Sequence, residues 1–120
     1  MKRWESYTTK EIKPGGWLLR QLRAQAQGLC GHLHEIWPDI RDSAWIGGNR
    51  EAWERVPYWL DGFIPLAFLL DDEFMKATAR KYVAAILARQ EADGWICPCK
   101  KEDRSGARMI TGPFSSSPRC

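Results

Sequence analysis

The most constraining feature of the sequence is a nearly continuous apolar run at residues 58–70, YWLDGFIPLAFLL. A helix that is apolar almost all round has no polar side for water, so it must be buried on most sides. Pro57 fits the first turn of this helix, because a backbone N–H there would have no intrahelical acceptor. Pro65 is expected to kink the helix or to remove one backbone bond, and Gly62 weakens it further. The run therefore requires several neighbouring elements.

A first amphipathic helix is predicted from Trp17 onward. Leu18, Leu22, Ala26 and Leu29 follow one another at intervals of four, four and three residues, which places them on one stripe. Charged and amide side chains occupy the remaining positions of this segment, and glycines at 28 and 31 mark its end. This helix offers one buried stripe to its neighbours.

A third helix is predicted over residues 73–92, after a short connection at Asp71 and Asp72. These aspartates close the preceding helix and supply a capping carboxylate to the next, while Glu73 suits the positive end of the helix dipole. Asp93-Gly94 is expected to end the helix, with the glycine as a left-handed cap. The short connection predicts an antiparallel αα-hairpin with residues 57–70.

Residues 32–53 show no sustained period and are interpreted as a long irregular segment. They contain Trp37, Trp45 and Trp53, and so many large aromatic side chains argue against disorder. The sequence thus predicts an all-α chain of about three helices with a long Trp-rich loop. Three helices cannot cover a helix that is apolar on most sides, so part of its surface must be meant for elements that this chain does not encode.

Net charge and the length of the apolar stretches argue against nucleic-acid and membrane partners. The net charge of +3 is modest and basic residues alternate with acidic ones, so no nucleic-acid partner is expected despite a pI near 8.8. The longest apolar stretch, at residues 63–70, is too short for a membrane span, and no signal-peptide core follows the N-terminus. We therefore expect no membrane association and a cytoplasmic location.

The four cysteines are Cys30, Cys97, Cys99 and Cys120, at irregular spacings. Without a secretory signal, free thiols are expected rather than a disulfide framework. The one close pair, at 97 and 99, lacks the two to four intervening residues of a usual zinc-ligand pair. No metal or cofactor is expected in this chain.

Six short segments stand out in the sequence: GWLLRQL (16–22), HEIWPD (34–39), DSAWIGG (42–48), WERVPYWLDG (53–62), PLAFLLDD (65–72) and DGW (93–95). Together they resemble the opening of glycoside hydrolase family 127, the β-L-arabinofuranosidase family. Each segment is weak evidence alone, but the resemblance in their order and spacing extends over residues 11–99, about three quarters of the chain. The resemblance implies a partial (α/α)6 barrel, in which six helical hairpins form a ring, and a role in carbohydrate metabolism.

The resemblance also implies what the chain lacks. Characterised members use a cysteine nucleophile beside a zinc ion held by glutamate and cysteine ligands, and these residues follow the matched segment. Cys97 and Cys99 do not correspond to that motif, so no catalytic role is assigned to them. The chain is expected to be an N-terminal fragment that is inactive alone, and zinc and carbohydrate are partners only of a full-length parent.

A sugar-binding site is predicted at residues 45–61, because sugar rings present apolar C–H faces and a rim of hydroxyls. The candidate aromatic platform is Trp45, Trp53, Tyr58 and Trp59. The candidate hydroxyl-binding groups are Glu54, Arg55 and Asp61. If the helix extends back to residue 54, the carboxylates of Glu54 and Asp61 lie on the same side of it. The alternative is that the three charged groups cap the helix start and pair with one another.

Other conspicuous residues are given structural roles. Core packing is expected for Trp17, Trp37 and Trp95. His32 and His34 are expected to be loop residues with ordinary hydrogen bonds.

The rival function is a small helical interaction module that binds a protein through an exposed Trp-rich apolar surface. A barrel fragment is instead expected to self-associate through its exposed apolar surface.

The chain divides into a polar segment at 1–13, the barrel fragment at 14–99 and an irregular tail at 100–120. The tail loses both the resemblance and helical periodicity, and it is interpreted as the product of a frameshift. When the codons from Met109 onward are regrouped two bases later, serine codons of the thymine-cytosine type give four apolar residues in succession. Such a reading looks like the start of another helix. A natural Ser- and Pro-rich disordered tail is the alternative.

The first prediction concerns the gene. We expect the shifted reading frame to continue past the position of residue 120 and to encode further apolar, helix-forming segments. Sequencing the DNA downstream tests this directly. A stop codon within a few codons of the shift would contradict the frameshift and leave the natural tail.

Overall fold

The computed structural model describes residues 5–50 and 52–98, which form a helical structure. Its helices are α1 (Gly16–Gln27), α2 (Leu29–Ile36), α3 (Pro38–Arg41), a 3₁₀ helix at Ala44–Ile46, α4 (Arg55–Leu70) and α5 (Glu73–Leu87). Within these two ranges no strand is present, and strand-like pairing is confined to an isolated bridge between Ser43 and Arg50. The all-α prediction is confirmed.

The prediction of three helices with one long irregular loop is wrong, because residues 29–46 contain two short α-helices and a 3₁₀ helix. Pro38 occupies the first position of α3, where a missing N–H costs nothing. The Ser43 hydroxyl accepts a bond from the Trp45 N–H at 3.3 Å and starts the 3₁₀ helix, which ends at Gly47 with φ of 92°. Helices of three to eight residues are too short for periodicity to reveal them.

The apolar helix α4 is covered on one side only. Its buried side chains all lie on that side: Val56, Trp59, Leu60, Phe63, Leu66 and Ala67. The helix continues through Pro65, which lacks an N–H and so leaves the Asp61 carbonyl without its helical donor. Pro65 and Asp61 are both exposed, so water can satisfy that carbonyl.

Helices α4 and α5 form the predicted antiparallel hairpin. Trp59, near the start of α4, contacts Tyr82 near the end of α5 with ring centroids 4.8 Å apart. At the other end of the pair, the Lys76 ammonium lies 5.5 Å from the centre of the Phe68 ring. The Asp72 carboxylate accepts the Met75 N–H at 2.9 Å, which confirms the predicted cap of α5.

Helix α5 ends at Leu87, five residues before the end at residue 92 that the Asp93-Gly94 signal predicts. After Leu87 the backbone tightens, since the N–H groups of Arg89 and Gln90 bond carbonyls three residues back at 3.1 and 3.0 Å. Gly94 does adopt a positive φ of 88°, but in a separate turn that its N–H closes onto the Glu91 carbonyl. The glycine signal was therefore correct for backbone conformation and wrong for the end of the helix.

The core is small and centred on α4. Phe63, Ile40 and Val56 are fully buried, and the Tyr82 hydroxyl donates to the Ile40 carbonyl at 3.2 Å. Helix α1 contributes no fully buried residue. Leu22 and Ala26 of its predicted stripe pack against the core, whereas Leu18 and Leu29 are exposed. No helix in the described part of the chain is long and apolar enough to cross a bilayer.

Cysteine chemistry differs from expectation at one position. Cys97 is disulfide-bonded, so the prediction of a free thiol is wrong there. Cys30 is a free thiol, and burial raises its pKa above the ordinary value. The predictions for Cys99 and Cys120 lie outside the described residues.

The second prediction tests whether the core is centred on α4. Phe63→Ala should lower the free energy of unfolding by about 3–5 kcal/mol, because it leaves a cavity at a fully buried position. Phe74→Ala is the matched control, since Phe74 is 72% exposed and should change stability by no more than about 0.5 kcal/mol. Urea unfolding followed by circular dichroism measures both. Equal losses in the two variants would contradict the assignment of the core.

Candidate functional site

The exposed side of α4 carries the predicted site residues that the structure brings together. Glu54, Tyr58, Asp61 and Pro65 follow at intervals of four, three and four residues and are all exposed, and we call them the α4 outer face. Such intervals place side chains on one side of a helix. Glu54 is the N-cap residue with helical-type dihedral angles, so the helix does extend the shared side back to it. An aromatic ring thus lies between two carboxylates.

The separation of the two carboxylates limits their chemistry. Glu54 and Asp61 are seven residues apart, which corresponds to about 10.5 Å along a helix axis. The carboxyl groups of a retaining glycosidase lie about 5 Å apart, and those of inverting enzymes up to about 9.5 Å. The spacing therefore favours contacts with separate hydroxyl groups over paired acid and base catalysis on one bond.

Arg55 lies at the flank of this outer face and joins α4 to α3. Its guanidinium forms an ion pair with Asp39 and lies 5.0 Å from the centre of the Trp37 ring. Glu54 makes no side-chain cap bond. The alternative interpretation was that the charged groups cap the helix and pair with one another. It does not hold for Arg55, because Arg55 pairs with Asp39 of α3. Asp39 was missed because no periodic signal links residues 16 positions apart in a segment interpreted as irregular.

A hydrogen bond joins the two tryptophans that precede α4. The Trp45 indole N–H donates to the Trp53 carbonyl at 2.7 Å, which fixes the chain just before the helix. Trp53 is 38% exposed and lies next to Glu54 in the chain, so its ring can contribute to a surface at the start of α4. Trp45 is partly buried against the core. Of this pair, Trp53 is the more exposed.

Trp59 lies on the side of α4 opposite the outer face. It is 6% exposed, its ring stacks on His34 at 5.6 Å, and it contacts Phe63 at 4.5 Å. Its indole N–H donates to the Cys30 carbonyl at 2.9 Å. The structure therefore does not bring Trp59 together with Tyr58 and Asp61, and in this chain it holds α2 against α4.

His34 is a core contact that sequence reasoning placed in a loop. It lies in α2, and its Nδ1 is buried without a hydrogen-bond partner among the described residues. Burial lowers the pKa of His34; Glu35 opposes this shift, while His32 and Lys81 add to it. His32 also lies in α2, and its Nδ1 is 3.1 Å from the Glu35 carboxylate. The missed signal was the spacing of Cys30 and His34, which places them on one side of a short helix.

Core packing is not observed for two of the three tryptophans assigned to it. Trp17 is 68% exposed and Trp37 is 38% exposed, so that prediction is wrong for both in this chain. Trp95 is partly buried. In the described ranges no group of three or more His, Cys, Asp or Glu side chains is arranged to hold a metal ion.

Comparison with known proteins adds no relative. No family model, no curated protein and no solved structure matches the chain.

The third prediction follows from the buried imidazole. Because the folded state lowers the pKa of His34, the unfolded chain binds the proton more readily and stability falls with falling pH. The contribution should be fully present above about pH 6.5 and should be lost as the pH falls through the folded pKa. Urea unfolding between pH 5 and 8 measures it.

His34→Phe should flatten this dependence, since the ring contacts remain and the titration is removed. His32→Gln is the control, because His32 is a half-exposed histidine two residues away in the same helix. A pH profile that is unchanged by His34→Phe would show that another group causes the dependence.

Proposed function

We propose that the chain is the N-terminal part of a helical glycoside hydrolase domain similar to the β-L-arabinofuranosidases, and that it contributes a sugar-binding surface without hydrolysing sugars alone. The observation that carries the proposal is the α4 outer face. There Tyr58, Glu54 and Asp61 are exposed on the side of α4 that faces away from the core. The sequence resemblance at residues 53–62 supports it.

The chemistry of this surface suits a sugar. The Tyr58 ring is 71% exposed and offers a flat surface to the apolar C–H side of a sugar ring. The carboxylates of Glu54 and Asp61 accept bonds from hydroxyl groups on either side. Trp53 and Arg55 extend the surface at the start of the helix, and the ion pair with Asp39 restrains the Arg55 side chain. Trp45 and Trp59 support the surface from the inner side of the fold.

The remaining apolar surface supports a partial (α/α)6 barrel. Large apolar side chains are more than half exposed on three helices: Trp17, Leu29, Ile36, Phe74 and Leu87. Exposed apolar surface of this extent is unusual for an isolated monomer and is what neighbouring hairpins of a ring would cover. In our proposal the α4–α5 hairpin is one of the six, and self-association of the isolated chain follows from the same surface.

Inactivity of the chain alone follows from what an assembled pocket requires. The resemblance places the cysteine nucleophile and the zinc ligands beyond the matched segment. Catalysis depends on holding substrate and reacting groups together, and a pocket that lacks most of its wall cannot do so. Zinc and hydrolysis are therefore proposed only for a full-length parent.

A protein-interaction module is the second candidate, and the exposure of Trp17 is the observation in its favour. Its surface would combine exposed aromatic and aliphatic side chains, without Trp59, which is buried. A module of this kind should unfold cooperatively as a monomer, whereas a barrel fragment should associate or behave as a molten state.

The fourth prediction tests the sugar surface. Arabinose-containing oligosaccharides should bind the full chain weakly, and Tyr58→Ala or Asp61→Asn should weaken binding by about tenfold, a loss of about 1.4 kcal/mol. Phe74→Ala is the matched control, because it removes an equally exposed ring from α5. Isothermal titration calorimetry measures the affinities, and aryl β-L-arabinofuranosides test hydrolysis.

Two results would overturn the proposal. Binding that is unaffected by both α4 substitutions, or absent for every sugar tested, would remove the sugar-binding surface. Hydrolysis by the purified chain would contradict its inactivity.

A further inference from the structure

Two prolines interrupt the backbone hydrogen bonding of α4, and each frees the carbonyl four residues before it. A proline has no N–H, so the helical acceptor at that distance loses its donor. Pro57 does this to the Trp53 carbonyl at the start of the helix, and Pro65 does it to the Asp61 carbonyl further along. The two freed carbonyls differ in what donates to them.

The Trp53 carbonyl has a donor from elsewhere in the chain. The Trp45 indole N–H bonds it at 2.7 Å. A backbone carbonyl that loses its helical donor normally receives a bond from a side chain, a water molecule or a ligand instead. The carbonyl freed by the first proline is therefore bonded within the chain.

The Asp61 carbonyl has no such donor. No side chain and no loop N–H in residues 5–50 or 52–98 donates to it. Asp61 and Pro65 are both exposed, and a proline ring pushes the carbonyl four residues before it away from the helix axis. Gly62, the next residue, is exposed too, and a Cβ atom added there would meet no atom within 4 Å. The Asp61 carbonyl is therefore open to a donor from outside the chain.

A second acceptor lies beside this carbonyl. The Asp61 carboxylate forms no ion pair with any side chain that the structure describes. Side chains three residues apart on a helix lie about 5–6 Å from each other, so Tyr58 is a neighbour of Asp61. The Tyr58 ring is 71% exposed. One residue of the α4 outer face thus offers a neutral and a charged acceptor next to a flat aromatic ring.

We propose that the Asp61 carbonyl, freed by Pro65, accepts a hydrogen bond from a sugar hydroxyl, while the Asp61 carboxylate binds the neighbouring hydroxyl of the same sugar ring. This inference rests on the proposed function and adds the ligand class, a sugar with two adjacent hydroxyl groups held against Tyr58. Pro65 is a positioning residue, because it forms no bond to the sugar and keeps the carbonyl free. The rigid helix holds that acceptor in a fixed place.

The test compares Pro65→Ala with the natural chain, using the arabinose-containing oligosaccharides that test the proposed function. Alanine supplies the N–H that bonds the Asp61 carbonyl within the helix, so the variant should be more stable and should bind sugar less well. We expect a higher urea midpoint and an affinity lower by about fivefold. In the natural chain, sugar should also shift the NMR signal of the Asp61 carbonyl carbon. A proline that only supports the fold would instead lose stability when replaced.

Two controls separate the N–H from the proline ring. Lactic acid at position 65, introduced in place of Pro65 by nonsense suppression, has the side chain of alanine and no N–H, so sugar affinity should remain that of the natural chain. Pro57→Ala makes the same change where the freed carbonyl already has the Trp45 donor. It should change the affinity by less than about twofold.

Four results would overturn the inference: an unchanged affinity in Pro65→Ala, a lower stability of that variant, an equal loss of affinity with lactic acid at position 65, or an equal loss in Pro57→Ala. If Tyr58→Ala still weakens binding in these cases, the sugar surface stands and the role of the carbonyl alone is refuted. If the natural chain binds none of the sugars, the proposed function and this inference both fail.

Discussion

The packing of Trp59 is the interaction on which the described structure depends. Its ring lies between His34 of α2 and Tyr82 of α5, and its indole N–H reaches the Cys30 carbonyl. One side chain thus joins three helices, and a polar bond fixes its orientation within an apolar cluster. Because the core is small, the loss of this contact would weaken the packing of α2 against the α4–α5 hairpin.

This inner packing determines what the outer side of α4 can do. With Trp59 and Phe63 directed into the core, the 3.6-residue period directs Glu54, Tyr58 and Asp61 outward. Rigid helices position side chains better than loops do, so a surface on the central helix suits recognition. Sugar binding is our proposal for that surface. The same geometry leaves apolar side chains of α1, α2 and α5 exposed, and in our proposal the other hairpins of a ring would cover them.

The loop before α4 is held by contacts along its length. Trp45 donates to the Trp53 carbonyl at one end of it, and Arg50 closes the turn around Ser43 at the other. Arg55 then ties the start of α4 to Asp39 of α3. These contacts hold a segment without a long helix in one conformation. The start of the α4 outer face is thereby held in a fixed position.

Several features could be predicted from the sequence because they depend on local interactions. The apolar run at 58–70, the Asp72 cap and the two-residue connection define the α4–α5 hairpin, because caps and periodicity act over only a few residues. The helical spacing of Glu54 and Asp61 likewise placed both on one side of α4. Tertiary structure alone decided that Trp59 is buried while Trp17 is exposed, that Arg55 pairs with Asp39, and that α2 and α3 form at all. These outcomes depend on contacts between residues far apart in the chain, and neither composition nor local period specifies which distant side chains meet.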